Sequence, residues 1–180
     1  AVDAAALALD GIDILVNNAG GNSFSTPMAN MRFSGWQKTF SLNVESIVHA
    51  CQAASPHLQA ANSASVINVS SVASLAGTPF MSHYGAAKAA VSSLTKSLAI
   101  EWAHAGVRVN ALVPGWIETD LTDFLRVDDS TETSLLSRVP MQRWGMAHEI
   151  AEPAVFLASD ASSFMTGQQL IVDGGLSVMP

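Results

Sequence analysis

One cysteine, Cys51, in 180 residues excludes an internal disulfide. A secretory segment with a charged start and an apolar middle is also missing, so a reducing, cytoplasmic setting is expected. Positive charge is scarce: eight Lys and Arg stand against fifteen Asp and Glu, for a formal net charge of -7. With no basic run to offset that balance, a nucleic-acid partner is excluded, because its phosphates are held by clustered Lys and Arg. No apolar stretch approaches the roughly 20 residues that a membrane span requires, so no membrane partner is expected. His49, His57, His104 and His148 are not grouped with Cys or carboxylates, and no metal site is expected. The G-x-S-x-G elbow of serine hydrolases is absent too.

What is present is apolar. The chain is 49% hydrophobic with a mean hydropathy of +0.30, a surplus that suits a buried parallel sheet whose strands read as continuous apolar runs. Its length corresponds to about one domain. Strand-length runs at residues 12–16, 65–69, 107–113 and 169–172 alternate with helical patterns at 35–60, 84–103 and 147–158. That alternation predicts βαβ units around a parallel sheet, an α/β fold. A polar stretch over 118–137 has weak periodicity and reads as a flap carrying a short helix or two.

Chemistry concentrates at Tyr84-Gly85-Ala86-Ala87-Lys88. Four residues of separation on a helix put the phenol and the ammonium on one face. A cation beside a phenol favours the phenolate, which makes a hydroxyl with a pKa of about 10 useful as an acid or base near neutrality. Alone, the pair is an ordinary solvated helix face. Ser70-Ser71 ends the second strand, at the sheet edge where ligands bind in open α/β folds. By itself a Ser pair there is an ordinary chain turn.

Asn17-Asn18-Ala19-Gly20, Asn43, Ser71, the Tyr84 and Lys88 pair, Pro114-Gly115 followed by Thr119, and Val172-Asp173-Gly174-Gly175 together resemble the ordered signature set of the short-chain dehydrogenase/reductase family. The resemblance spans essentially the whole chain. It is closest to the branch that includes 3-oxoacyl-(acyl-carrier-protein) reductases, which share stretches like Arg143-Trp144-Gly145 and Glu149-Ile150-Ala151. It implies a Rossmann-like doubly wound sheet and an NAD(P)-dependent oxidoreductase acting on a small-molecule carbonyl or alcohol. NAD and NADP are not distinguished. Tyr84 would be the general acid, Lys88 would lower the phenol's pKa and hold the nicotinamide ribose, and Ser71 would hydrogen-bond the substrate oxygen. Asn43 would hold a water linking Lys88 to solvent. Asn17, Asn18, Ala19 and Gly20 would line the adenosine side and brace the sheet. Pro114, Gly115, Ile117 and Thr119 would contact the nicotinamide end. Trp116 and Phe124 would form an apolar substrate wall, beneath a flap over residues 119–138. The helices at 35–60 and 84–103 would pack in a homotetramer, or failing that a dimer.

The departure from the family lies at the front. A complete member opens with a strand and a glycine-rich turn that cradles the pyrophosphate, and no G-x-G-x-x-G occurs in these residues. Residues 1–180 therefore read as a partial domain of about four strands, a piece of a longer enzyme. The alternative is an inactive fragment that folds and oligomerises without binding cofactor. If the 180 residues stand alone, Ile14-Leu15-Val16 would form an exposed apolar edge.

Overall fold

Residues 65–69 and 107–113 are the longest stretches that side chains of both helical layers can cover, and they become the centre of the sheet. The computed structural model describes residues 1–120, 122–126 and 128–179. In chain order these form α1 (Val2–Leu9), β1 (Ile14–Asn17), α2 (Phe33–Phe40), a π-helical segment (Ser41–Glu45), α3 (Ser46–Ala60), β2 (Ala64–Val69), α4 (Ser82–Trp102), β3 (Val107–Pro114), α5 (Asp129–Leu136), α6 (Ala147–Ala158) and β4 (Gln169–Val172). The four strands are parallel in the order β1-β2-β3-β4. No helix among the described residues is long and apolar enough to cross a membrane.

Helices cover both faces of the sheet. On one side Ala54 and Leu58 of α3 and Val91 and Trp102 of α4 pack on Val66, Val107 and Val109. On the other, Leu157 of α6 closes over Ile67 and Leu112. The central strands are buried on both faces, which is why they read as unbroken apolar runs. Edge strand β1 is not: Ile14 is 50% and Val16 48% exposed.

Two elements differ in detail from the sequence expectation. The first strand begins two residues later than the apolar run, because Ile12 turns into the core beneath the helices while Asp13 O accepts the Ser65 N–H at 2.8 Å. The helix expected over 35–60 extends back to Phe33 and widens at Ser41–Glu45. A π turn of this kind follows when a side chain competes for the helix ladder, and here Asn43 Nδ2 donates to Thr39 O at 2.9 Å. The 118–137 stretch holds a 3-10 turn at Asp123–Leu125 and then α5, capped by Asp128, whose Oδ2 accepts the Thr131 N–H at 2.9 Å.

Candidate active site

Because all four strands are parallel, their carboxyl ends share one edge, and the expected site residues collect there. Ser70 and Ser71 leave β2 at that edge. Ser70 Oγ donates to Lys88 O at 3.0 Å and lies 3.0 Å from Ser92 Oγ, pinning the backbone of α4 to the strand end. Ser71 Oγ accepts the Ala73 N–H at 3.2 Å and caps the short turn Val72–Ser74. The chain then returns, so that the first turn of α4 places the Tyr84 phenol against the Ser71 hydroxyl.

Lys88 lies one turn further, 3% exposed, with Nζ donating to Val69 O at 2.9 Å and standing 5.8 Å from the centre of the Tyr84 ring. Burial lowers its pKa to about 8, since no carboxylate offsets the lost hydration. The phenol moves the other way. Burial raises the Tyr84 pKa above its ordinary value, and the Ser71 hydrogen bond only partly reverses this. Desolvation is the largest influence at both groups, and the Ser71 hydrogen bond opposes it at the phenol.

Asn43, fully buried in the π segment, clamps the loop after β1. Its Oδ1 accepts the Gly21 N–H at 3.0 Å and its Nδ2 donates to Gly21 O at 2.9 Å. Gly20 sits where Asn43 and Lys88 converge: a Cβ there would lie 2.8 Å from Asn43 Oδ1 and 3.1 Å from Lys88 Nζ. With both Nδ2 protons spent, Asn43 first orders the loop, and only the second lone pair of Oδ1 remains for a water.

Asn17 braces the sheet. Its Nδ2 donates to Asn68 Oδ1 at 2.8 Å, and Asn68 Nδ2 donates to Thr95 Oγ1 at 2.9 Å, a buried polar chain through β1, β2 and α4. Asn18 and Ala19 are exposed in the loop that follows.

A second group gathers at the end of β3. Pro114 closes the strand, and the Gly115 N–H bonds Val172 O at 3.0 Å, so close to β4 that a Cβ would meet Asp173 Cα at 2.7 Å. Ile117 bridges to Gly145. The Thr119 N–H bonds Thr122 Oγ1 at 3.1 Å, and Thr119 itself is exposed. Trp116 meets Trp144 edge to face at 6.1 Å, and Trp144 Nε1 donates to Glu132 Oε1 of α5 at 2.6 Å. A cavity of about 110 Å³ beside them is lined by Trp116, Ile117, Arg143, Glu149 and Asp173. Phe124, the other residue of the expected substrate wall, has a side chain outside the described residues.

The sequence reading missed the loop that packs against the start of α4. Asn22, Phe24 and Thr26 carry no motif of their own.

The profile of a family described as Enoyl-(Acyl carrier protein) reductase matches residues 1–177. The 3-oxoacyl-(acyl-carrier-protein) reductase FabG of Chlamydia pneumoniae is 43% identical over 166 residues, covering 92% of this chain and 66% of that protein. The gluconate 5-dehydrogenase of Gluconobacter oxydans (strain 621H) is 38% identical over 167 residues, covering 93% and 65%. A crystal structure of a gluconate 5-dehydrogenase from Burkholderia cenocepacia J2315, in complex with NADP and tartrate, superposes with a TM-score of 0.96 at 37% identity, covering 100% of this chain and 70% of that one. The chain thus spans about two thirds of the length of the curated relatives it matches.

Proposed function

Since the chain belongs to the short-chain dehydrogenase/reductase family, we propose that it serves an NAD(P)-dependent oxidoreductase that interconverts a carbonyl and an alcohol, with Tyr84 as general acid and base. The observation that carries this reading is the grouping of Ser71, Tyr84 and Lys88 at the carboxyl edge of a parallel sheet, with both titratable groups desolvated.

The residues fit a nicotinamide cofactor. Lys88 uses one N–H on Val69 and keeps others, and Gly20 leaves open the space that a Cβ would fill beside it. Lys88 and Tyr84 would hold the ribose hydroxyls. Asn18, Ala19 and Gly20 would line the adenosine side, together with the backbone of Asn17, whose side chain is engaged with Asn68. Pro114, Gly115, Ile117 and Thr119 would take the nicotinamide end. A cofactor bound there supplies or accepts the hydride.

The chain's own residues manage the proton. A phenol held above its ordinary pKa stays protonated at neutral pH, which suits it to give its proton to the carbonyl oxygen as charge develops there. Ser71 Oγ accepts from Ala73, and its O–H, which faces the Tyr84 phenol, would turn to donate to the same oxygen when substrate is bound. In the oxidising direction Tyr84 would first pass its own proton toward Lys88 and solvent and then take the alcohol proton. Lys88 would return protons to the phenol side through a water on the remaining lone pair of Asn43 Oδ1. Trp116 and Phe124 would shape the apolar side of the substrate site.

The test is absorbance at the reduced-nicotinamide band with a panel of carbonyl compounds. Turnover is expected, and Tyr84→Phe is expected to lower kcat at least about a hundredfold. Unchanged turnover in Tyr84→Phe would remove the assignment.

A further inference from the structure

His83 stands next to Tyr84 and has no part in the proton chemistry above, yet it is 0% exposed. Its Nε2 donates to Asn22 Oδ1 at 2.9 Å, an acceptor that fixes which ring nitrogen carries the proton. The ring stacks on Phe24, with centroids 4.2 Å apart and planes within 13°. Phe24 in turn presses on α2 at Gly35, where a Cβ would lie 2.9 Å from Phe24 Cζ. Two residues later the Thr26 N–H bonds Phe80 O at 2.8 Å, and Phe80 adopts a φ of 65°, a strained conformation for a residue with a side chain. At the loop's other end Asn43 holds Gly21 by both backbone groups.

Residues 20–26 are therefore fastened at Asn43, at His83 and at Phe80. Of these only His83 lies within α4, the helix that carries Tyr84 and Lys88. We propose that His83 is a positioning residue: through its bond to Asn22 and its stack on Phe24 it sets the Gly20 to Thr26 loop against the Tyr84 and Lys88 face of α4. This rests on the oxidoreductase reading for its kinetic consequence, but the clamp itself does not. The loop carries Gly20, where a Cβ would lie 3.1 Å from Lys88 Nζ, so displacing it changes the space beside the ammonium. Its surroundings favour the neutral imidazole of His83. The charged groups on the elements packed around it are Arg32 and Lys38 of the α2 region and Glu45 of the π segment, all exposed, with Tyr84 and Lys88 on its own helix. None is a buried carboxylate that would stabilise an imidazolium, and burial lowers the His83 pKa below its ordinary value.

The experiment uses the full-length gene product. His83→Phe keeps the stack on Phe24 and removes the donor, whereas His83→Gln keeps a donor. In His83→Phe, amide exchange at Gly21 and Thr26 is expected to quicken about tenfold, and the KM for the nicotinamide cofactor to rise by about the same factor, from the loss of one buried hydrogen bond. His83→Gln is expected to restore most of both. Asn22→Leu should reproduce His83→Phe, and the double variant should be no worse than either single one. If Phe at 83 prevents folding, Asn22→Leu reads the same bond from its other end. Wild-type exchange and KM in Asn22→Leu would overturn the proposal, as would additive effects in the double variant. Should Tyr84→Phe prove fully active, the oxidoreductase reading falls while the exchange rates still judge the clamp.

Discussion

At the scale of the residue, burial rather than pairing sets the chemistry of this site. Lys88 carries an ammonium into the interior with a backbone carbonyl as its named hydrogen-bond partner, and its pKa falls to about 8. The consequence for stability has a definite sign. Between about pH 8 and the ordinary lysine value of 10.5 the unfolded chain binds a proton that the folded chain does not, so this group makes stability rise with pH across that window. Tyr84, raised above 10.0, acts in the opposite sense only at higher pH. The denaturant midpoint is therefore expected to climb from pH 8 to pH 10, by an amount on the order of 3 kcal/mol in full. Lys88→Met should flatten the climb; a wild-type midpoint that falls over the same range would contradict the desolvated ammonium. That Tyr84 and Lys88 share a helix face was legible from their spacing. That the phenol is raised rather than lowered was not, because desolvation depends on what the loop and the neighbouring strands lay over it.

At the scale of the element, the order in which strands and helices follow one another could be read directly. The runs at 65–69 and 107–113 became β2 and β3 almost without change, because a strand buried on both faces must be apolar throughout. The boundary of β1 moved, since an edge strand is held by one neighbour and its apolar residues can serve either the sheet or the helical layer. The π segment was invisible: nothing in the sequence around Asn43 announces that its amide will leave the helix to hold Gly21. The same holds for the Asn17, Asn68 and Thr95 chain, which ties two strands to α4 in the interior. Asn68→Leu removes one bond from each of two buried partners at once. It is expected to cost about 2–4 kcal/mol, read as a shift in urea midpoint with no change of slope. A loss below 0.5 kcal/mol, the scatter expected of surface changes, would show that the chain is replaceable.

At the scale of the whole molecule, the sheet has one well-covered centre and one open side. Ile14 and Val16 on β1, and Leu7 and Leu9 on α1, are half to nearly fully exposed, with Leu7 at 88%. A strand edge with unpaired backbone groups and apolar side chains is a template for pairing. The 180-residue chain by itself is expected to self-associate in a concentration-dependent manner in sedimentation velocity. Ile14→Lys with Val16→Lys should shift it toward monomer; a monomeric wild-type chain at high concentration would refute this. The same exposed edge is the observation that favours a second reading, a unit that folds and associates without turning over. By itself the sequence determined the alternation of strands and helices, the family and the residue types of the site, because periodicity and short motifs are properties of neighbouring residues. Only the tertiary structure decided that burial outweighs other influences on Tyr84 and Lys88, that Asn43 is spent on Gly21, and that His83 reaches Asn22. Those outcomes depend on burial and on contacts between residues 22 to 61 positions apart, which no local pattern encodes.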